Sequence, residues 1–254
     1  MIVWISVAGI AVLSLSYLFL SRRLWTGQSW RRLADLPIDG SLPKPTHISR
    51  ATRTCKRIFD VSVGLIGLVI GGLFAGPIAI AIKLNSPGPV VFRQLRIGRA
   101  LDDRTELFMM YKFRTMYVDA EARTGPVWAT KNDPRITPVG LFLRKTRLDE
   151  IPQLVNVIRG DMSLVGPRPE RPGITHRLED AIPFFTERTF GIRPGITGLA
   201  QVNQGYDESL DDVRSKVLYD HAYGLAIMSF WGWLTTDLAI LWKTFAVVIG
   251  RKGQ

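Results

Sequence analysis

Three long apolar runs divide the chain, and a mostly polar body separates the second from the third. The first, residues 2–20, carries no charge and is long enough to cross a bilayer as a helix. Its basic neighbours, Arg22, Arg23, Arg31 and Arg32, come after it, whereas a cleaved leader carries its positive charge in front. This order predicts a retained transmembrane helix over residues 1–20, with its N-terminus outside and its C-terminus in the cytoplasm. A helix lying in the interface is the alternative. Residues 21–55 lack apolar periodicity and contain Gly27, Pro37, Gly40, Pro43 and Pro45, which reads as a basic linker along the cytoplasmic face.

The second run, residues 61–82, is also uncharged but contains Gly76-Pro77, where the missing proline N–H and the ring clash should bend a helix. Arg53, Lys56 and Arg57 precede it, and Lys83, Arg93, Arg96 and Arg99 follow. A straight span would export one basic flank. A bent helix over residues 56–84 that enters and leaves by one face would not, and on charge alone this stands level with a plain kinked span. The third run, residues 225–250, includes Asp237 and Lys243 together with Trp231, Trp233 and Trp242, which favour the membrane–water interface. One or two interfacial amphipathic helices over residues 225–254 are predicted.

In the body, residues 85–224, Asn85-Ser86-Pro87-Gly88-Pro89 reads as a turn. Residues 90–94 and 107–113 are β-prone runs flanking Leu101-Asp102-Asp103-Arg104, so a hairpin is expected. Residues 141–147 and 151–158 read as helical. The fold class is therefore a membrane-associated α/β chain, mostly α with one small β-hairpin.

Lysine and arginine outnumber acids 33 to 22, a net charge of +11, which suits an anionic partner. Hydrophobic residues at 46% in long runs favour a membrane and phosphates over nucleic acid, for which no helix-turn-helix, zinc or aromatic-ladder pattern exists. Cys55 is the only cysteine, which excludes an intrachain disulfide and fits a cytosolic setting. His47, His176 and His221 have no metal-ligand spacing.

Candidate chemistry concentrates in residues 143–170. Asp149-Glu150 stands just before Ile151-Pro152, the place of an N-cap and a first-turn proline. The plain reading is a helix cap. The alternative is a reactive pair at a helix start, where backbone N–H groups and the dipole attract phosphate. Arg144, Lys145 and Arg147 lie upstream; Arg168 is held between Pro167 and Pro169, and Arg193 lies in Gly191-Ile192-Arg193-Pro194-Gly195. Lys112 and Arg114 end a β-prone run. Guanidinium forks match phosphate oxygens, although any one arginine could equally meet a lipid headgroup. Attack of a carboxylate on a diphosphate needs such cations, Mg²⁺, or both.

At these residues the chain resembles the monotopic phosphoglycosyl transferases, also called bacterial sugar transferases or undecaprenyl-phosphate glycosyl-phosphotransferases. The likeness runs from about Lys56 to the C-terminus. It rests on Lys56-Arg57-Ile58-Phe59-Asp60, the turn at 85–90, Tyr111-Lys112-Phe113-Arg114-Thr115-Met116, Leu148-Asp149-Glu150-Ile151-Pro152-Gln153, residues 160–170 and residues 193–198. The resemblance implies a re-entrant helix broken at Gly76-Pro77 and a catalytic domain on the cytoplasmic face of the bacterial inner membrane, seated among its lipids. It implies Asp149 as nucleophile, Glu150 as its partner, both as ligands of Mg²⁺, and Arg144, Arg168 and Arg193 as phosphate or nucleotide contacts. The implied reaction is ping-pong transfer of a sugar phosphate from a UDP-sugar to polyprenyl phosphate, with release of UMP, as the first membrane step of polysaccharide or glycoconjugate assembly. Departures from the pattern are Gly76 where serine is usual, acids in the turn after Gly98, and a glycine displaced to Gly205. They bear on the bend and on selectivity. The identity of the sugar and homo-oligomer formation stay open. A phosphohydrolase and a non-enzymatic basic membrane adaptor are the competing readings.

Overall fold

The computed structural model describes residues 48–118, 120, 133–183, 185–204 and 210–249. The expected helix at 1–20 and the linker up to residue 47 lie outside them. Helix α1, Arg50–Asn85, starts at Ser49, whose hydroxyl accepts from Thr52 N at 3.0 Å. Its 36 residues would run about 54 Å if straight. Pro77 lies inside it, and helix runs on both sides. Thr52, Asp60, Gly64, Gly71, Ile78 and Ile82 are buried at near-heptad spacing, which defines one inward stripe. Leu65, Ile66, Val69, Ile70, Leu73 and Phe74 face outward and exposed. The helix is long and apolar enough to cross a membrane by length and composition. An apolar face this large is unusual against water.

The predicted hairpin forms from β1, Val91–Ala100, and β2, Thr105–Phe113, paired antiparallel with Val91 opposite Phe113 and Ile97 opposite Leu107. Strand β1 is longer than its apolar run, because Arg93 and Arg96 interrupt the apolar pattern but not the pairing; the register shifts between Ile97 and Ala100. Helix α2, Pro138–Lys145, is capped by Thr137, whose hydroxyl accepts from Gly140 N. Helix α3, Gln153–Arg159, ends at Gly160, whose φ of 97° suits glycine. A second sheet of only two strands, β3 Ser163–Val165 and β4 Gly195–Thr197, pairs in parallel. Helices α4 (Pro172–Ala181), α5 (Leu199–Asn203), α6 (Leu210–Ala226) and α7 (Phe230–Ile249) complete the body.

The main core joins Val157, Met162, Val165, Tyr223, Trp233 and Ile240, with Phe59 of α1 edge-on to Trp233 at 6.3 Å. Trp233 is thus an interior side chain, not an interfacial one, whereas Trp231 and Trp242 are exposed. Asp237, a charge within the third apolar run, is 1% exposed and accepts from Lys56 Nζ at 2.6 Å and Trp233 Nε1 at 2.8 Å. This pair ties α7 to the start of α1. At the other end of α1, Ile78 and Ile82 pack with Phe113 and Leu143.

Candidate active site

Asp149 and Glu150 do not cap α3. They occupy a 3-10 turn, Leu148–Glu150, and the residue before α3 is Pro152, which makes no side-chain cap. The helical reading of 141–147 also stops early, at Lys145: Arg147 has φ 58°, a left-handed backbone uncommon for a residue with a side chain. That reversal turns the acid pair inward.

The wall behind the turn is α1. Ile151 and Leu154 lie over Gly71 and Gly67, and a Cβ at Gly71 would come within 2.7 Å of Ile151 Cγ2. Glycine therefore sets how closely the apolar helix approaches the acid-bearing segment.

Both carboxylates are buried, Asp149 to 5% exposure and Glu150 to 8%. Glu150 Oε1 gathers Lys112 Nζ at 3.2 Å, Arg168 at 3.5 Å and Arg147 at 3.6 Å. Asp149 Oδ1 is buried and has no hydrogen-bond partner among the described residues. Burial raises Asp149 above the ordinary carboxylate range, and the adjacent Glu150 charge adds to it; Lys112, Arg144 and Arg147 oppose both. Burial acts on Glu150 in the same direction, but Lys112, Arg168 and Arg147 outweigh it and hold its pKa at about 2. Burial brings Lys112 down to about 8, with Glu150 pulling upward and Arg168 pushing downward. One acid is fixed as an ion; the other keeps an unclaimed oxygen.

Arg144 is half-buried on the last turn of α2, acts on Asp149 through its charge, and has its own buried Nη1 without a partner among the described residues. Lys112, Arg144, Arg147 and Arg168 leave the turn net positive, as an anionic substrate requires. Two predicted contacts stand elsewhere. Arg114 clamps the end of α1, donating to Pro87 O at 2.7 Å and to Ser86 O at 2.6 Å. Arg193 Nε donates to Gly160 O at 2.7 Å, beside Arg57, which holds Val157 O and Ile158 O. Arg193 and Arg57 thus satisfy carbonyls at the end of α3.

The frame of the Arg168 loop is built from residues distant in sequence, Lys216, Arg188 and Asp220. Lys216 Nζ lies 2.9 Å from Glu170 Oε1; Arg188 pairs with Asp220, both buried, and also donates to Arg168 O. Ile97 N donates to Glu170 O, and Arg96 to Pro169 O. Asp60 does similar work, accepting from Ser163 Oγ at 2.8 Å and Leu164 N at 3.1 Å. A charged residue inside an apolar or loop segment was the available signal.

Among the described residues, no three His, Cys, Asp or Glu side chains cluster to hold a metal ion. Mg²⁺ commonly needs only one or two carboxylates, with water and substrate phosphate completing its shell. Asp149, with its unclaimed Oδ1, fits that donor set.

A buried acid pair ringed by cations and backed by an apolar helix suits an anionic substrate met beside an apolar phase. The chain belongs to the bacterial sugar transferase family, whose family model matches residues 51–251. It is 41% identical over 198 residues to the UDP-N-acetylgalactosamine-undecaprenyl-phosphate N-acetylgalactosaminephosphotransferase of Aeromonas hydrophila, covering 78% of this chain and 44% of that protein. It is 43% identical over 177 residues to the UDP-glucose:undecaprenyl-phosphate glucose-1-phosphate transferase of Xanthomonas campestris pv. campestris, covering 69% and 34%. It is 39% identical over 173 residues to the exopolysaccharide production protein PSS of Rhizobium leguminosarum bv. phaseoli, covering 66% and 84%. The chain thus spans under half the length of the first two relatives.

Proposed function

We propose that the protein transfers a sugar 1-phosphate from a UDP-sugar to polyprenyl phosphate through a covalent intermediate on Asp149. The observation that carries this reading is the division of labour in the acid pair: Glu150 is neutralised by Lys112, Arg147 and Arg168, while Asp149 Oδ1 is buried without a partner among the described residues. An Asp149 oxygen attacks the sugar-linked phosphorus, the bond to the bridging oxygen breaks, and UMP leaves with that electron pair. An oxygen of polyprenyl phosphate then attacks the same phosphorus, forming the lipid-linked diphosphate sugar and returning the Asp149 carboxylate. Lys112, Arg144 and Arg168 offset charge on the phosphoryl oxygens, and Glu150 holds the cations in place. Mg²⁺, held by Asp149 with Glu150 near it, would supply Lewis-acid polarisation of the diphosphate. The first two relatives named above carry undecaprenyl phosphate and different sugars in their names, which supports the acceptor class and leaves the sugar to experiment.

The setting we propose is the cytoplasmic face of the bacterial inner membrane, with α1 entering and leaving by one side at Gly76-Pro77. Two contacts support it. Asp60 near the start of α1 holds Ser163, and Ser86 just past its end is held by Arg114. One domain thus grips both ends of the apolar helix, which a domain confined to one side of a straight span cannot do. In a Cys55→Ser background, Arg50→Cys and Val91→Cys should both resist labelling from the periplasm. Labelling of one and not the other would refute the re-entrant path.

For the reaction, nanodisc-held protein is given UDP-sugars, Mg²⁺ and polyprenyl phosphate, and UMP and lipid product are measured. UMP release sustained only by the lipid is expected. Free sugar phosphate without lipid would indicate a phosphohydrolase, and no turnover with any UDP-sugar would indicate an adaptor.

A further inference from the structure

A cavity of about 210 Å³ adjoins the acid pair, and its lining divides by chemistry. Arg147 and Glu150 supply the charge and Gln201 an amide, whose Nε2 donates to Ile196 O; Ile151, Leu154, Ile196 and Val202 supply aliphatic surface. The two hydroxyls in the wall, Thr197 and Thr244, are 2.7 Å apart and satisfy each other. Among the described residues no aromatic ring lines the space, so a nucleobase would find none of them to stack on. Ile151 and Leu154 are also the residues that meet Gly71 and Gly67, so the aliphatic wall is continuous with the apolar helix. Arg147 carries its guanidinium on a left-handed backbone, a conformation that persists only where the surroundings enforce it.

We infer that this cavity is the seat of the acceptor, with its phosphate on Arg147 and its first isoprene units on Ile151, Leu154, Ile196 and Val202. The inference rests on the transferase reading above and adds to it a place for the second substrate. An amphiphile with one anionic end matches the lining, whereas a UDP-sugar, polar throughout, would find the amide oxygen of Gln201 but would bury most of its hydroxyls against aliphatic carbon. Arg147 lies 3.6 Å from Glu150 and exchanges that partner for phosphate when the acceptor arrives.

The test uses the full chain in nanodiscs and a polyprenyl phosphate with a diazirine on its second isoprene unit. After irradiation, label is expected on the segments 151–154 or 196–202, displaced by undecaprenyl phosphate but not by UDP-sugar. Ile196→Trp and Val202→Trp, which fill the space, should each cut labelling and raise the KM for polyprenyl phosphate about tenfold or more. The UMP burst on mixing with UDP-sugar should keep its amplitude, which also shows that the variants fold. Displaceable label confined to other segments would overturn the inference. So would a weakened UMP burst with an unchanged acceptor KM, which would assign the cavity to the donor. Displaceable label here in a protein that releases no UMP would support this seat while refuting the transferase reading.

Discussion

Lys112 Nζ stands 3.2 Å from Glu150 Oε1, and this contact makes two adjacent acids chemically unlike. Glu150 is held as an ion by Lys112, Arg147 and Arg168, whereas burial works against the charge on its neighbour Asp149. A neutral isostere should therefore have opposite effects at the two positions. Asp149→Asn should end UMP release, by about a thousandfold or more, yet unfold at an equal or higher temperature. Glu150→Gln should unfold earlier, because three cations lose their counter-charge, with a cost of about 3 kcal/mol. Thermal unfolding and UMP release measured on both variants check this; a stable Glu150→Gln protein would contradict it.

The same contact bears on alkaline pH. Lys112 has a pKa of about 8 in the substrate-free protein, chiefly because it is buried. Its charge is present below that value and lost above it. The kcat/KM for the nucleotide sugar should therefore fall as pH rises through about 8, since this ratio reports groups of the free enzyme. In Lys112→Arg, whose guanidinium stays charged, the decline should move beyond the accessible range. A profile unchanged by that substitution would assign the alkaline limb to another group.

Arg114 predicts a structural defect where a binding defect was expected. Its guanidinium donates to Ser86 O, Ser86 Oγ and Pro87 O, holding the end of α1 against β2. Arg114→Met should lower stability by about 2–4 kcal/mol, through buried carbonyls left without donors. The fraction that folds should keep its KM for the nucleotide sugar. A raised KM at normal stability would return Arg114 to the substrate.

How far the chain could be read follows from the distance over which its contacts act. The hairpin and the acid pair announce themselves within a dozen residues, through Asp102-Asp103 between β-prone runs and Asp149-Glu150 before Ile151-Pro152. The partners of Glu150 are legible as cations but not as neighbours, since Lys112 is 38 residues away. Arg114 and Arg193 look from sequence like any phosphate-binding arginine, because nothing local tells a guanidinium facing phosphate from one facing carbonyls. Asp237 and Lys56 are 181 residues apart, and each reads alone as an interfacial charge. Strands β3 and β4 have three residues each, too few for a period to show.

Acid should loosen the loop that carries Arg168. Glu170 pairs with Lys216; burial would raise its pKa, but Lys216 and Arg188 bring it to about 2, below its ordinary 4.5. A depressed carboxylate stabilises the fold above its unfolded pKa and loses that contribution as pH falls toward the folded value. The window is therefore about pH 4.5 down to 2, and the contribution at neutral pH is about 3 kcal/mol. Glu170→Gln should be less stable at pH 7 and should show a flatter loss of stability across that window. Equal slopes for the two proteins, in unfolding followed against pH, would remove Glu170 from the account.

Lys56 and Asp237 offer a test of how α7 is fastened to the apolar helix. The pair is almost wholly buried, and Asp237 Oδ1 also lies 2.9 Å from Tyr223 Oη, which is 3.0 Å from Val165 O. Removing the cation alone leaves a carboxylate in an apolar interior, so Lys56→Met should cost about 3–5 kcal/mol. Asp237→Asn alone leaves the ammonium facing the more distant Asp60, at 3.9 Å, and should also destabilise. In the double variant neither charge remains: Trp233 Nε1 can still donate to the amide oxygen, and the amide NH2 can donate to Tyr223 Oη, whose proton then goes to Val165 O. Its loss should therefore be smaller than the sum of the single losses by at least about 1 kcal/mol. Unfolding of all four proteins in one detergent closes this cycle. Additive losses would mean that α7 is held by Trp233 and its apolar neighbours, with the ion pair a passenger.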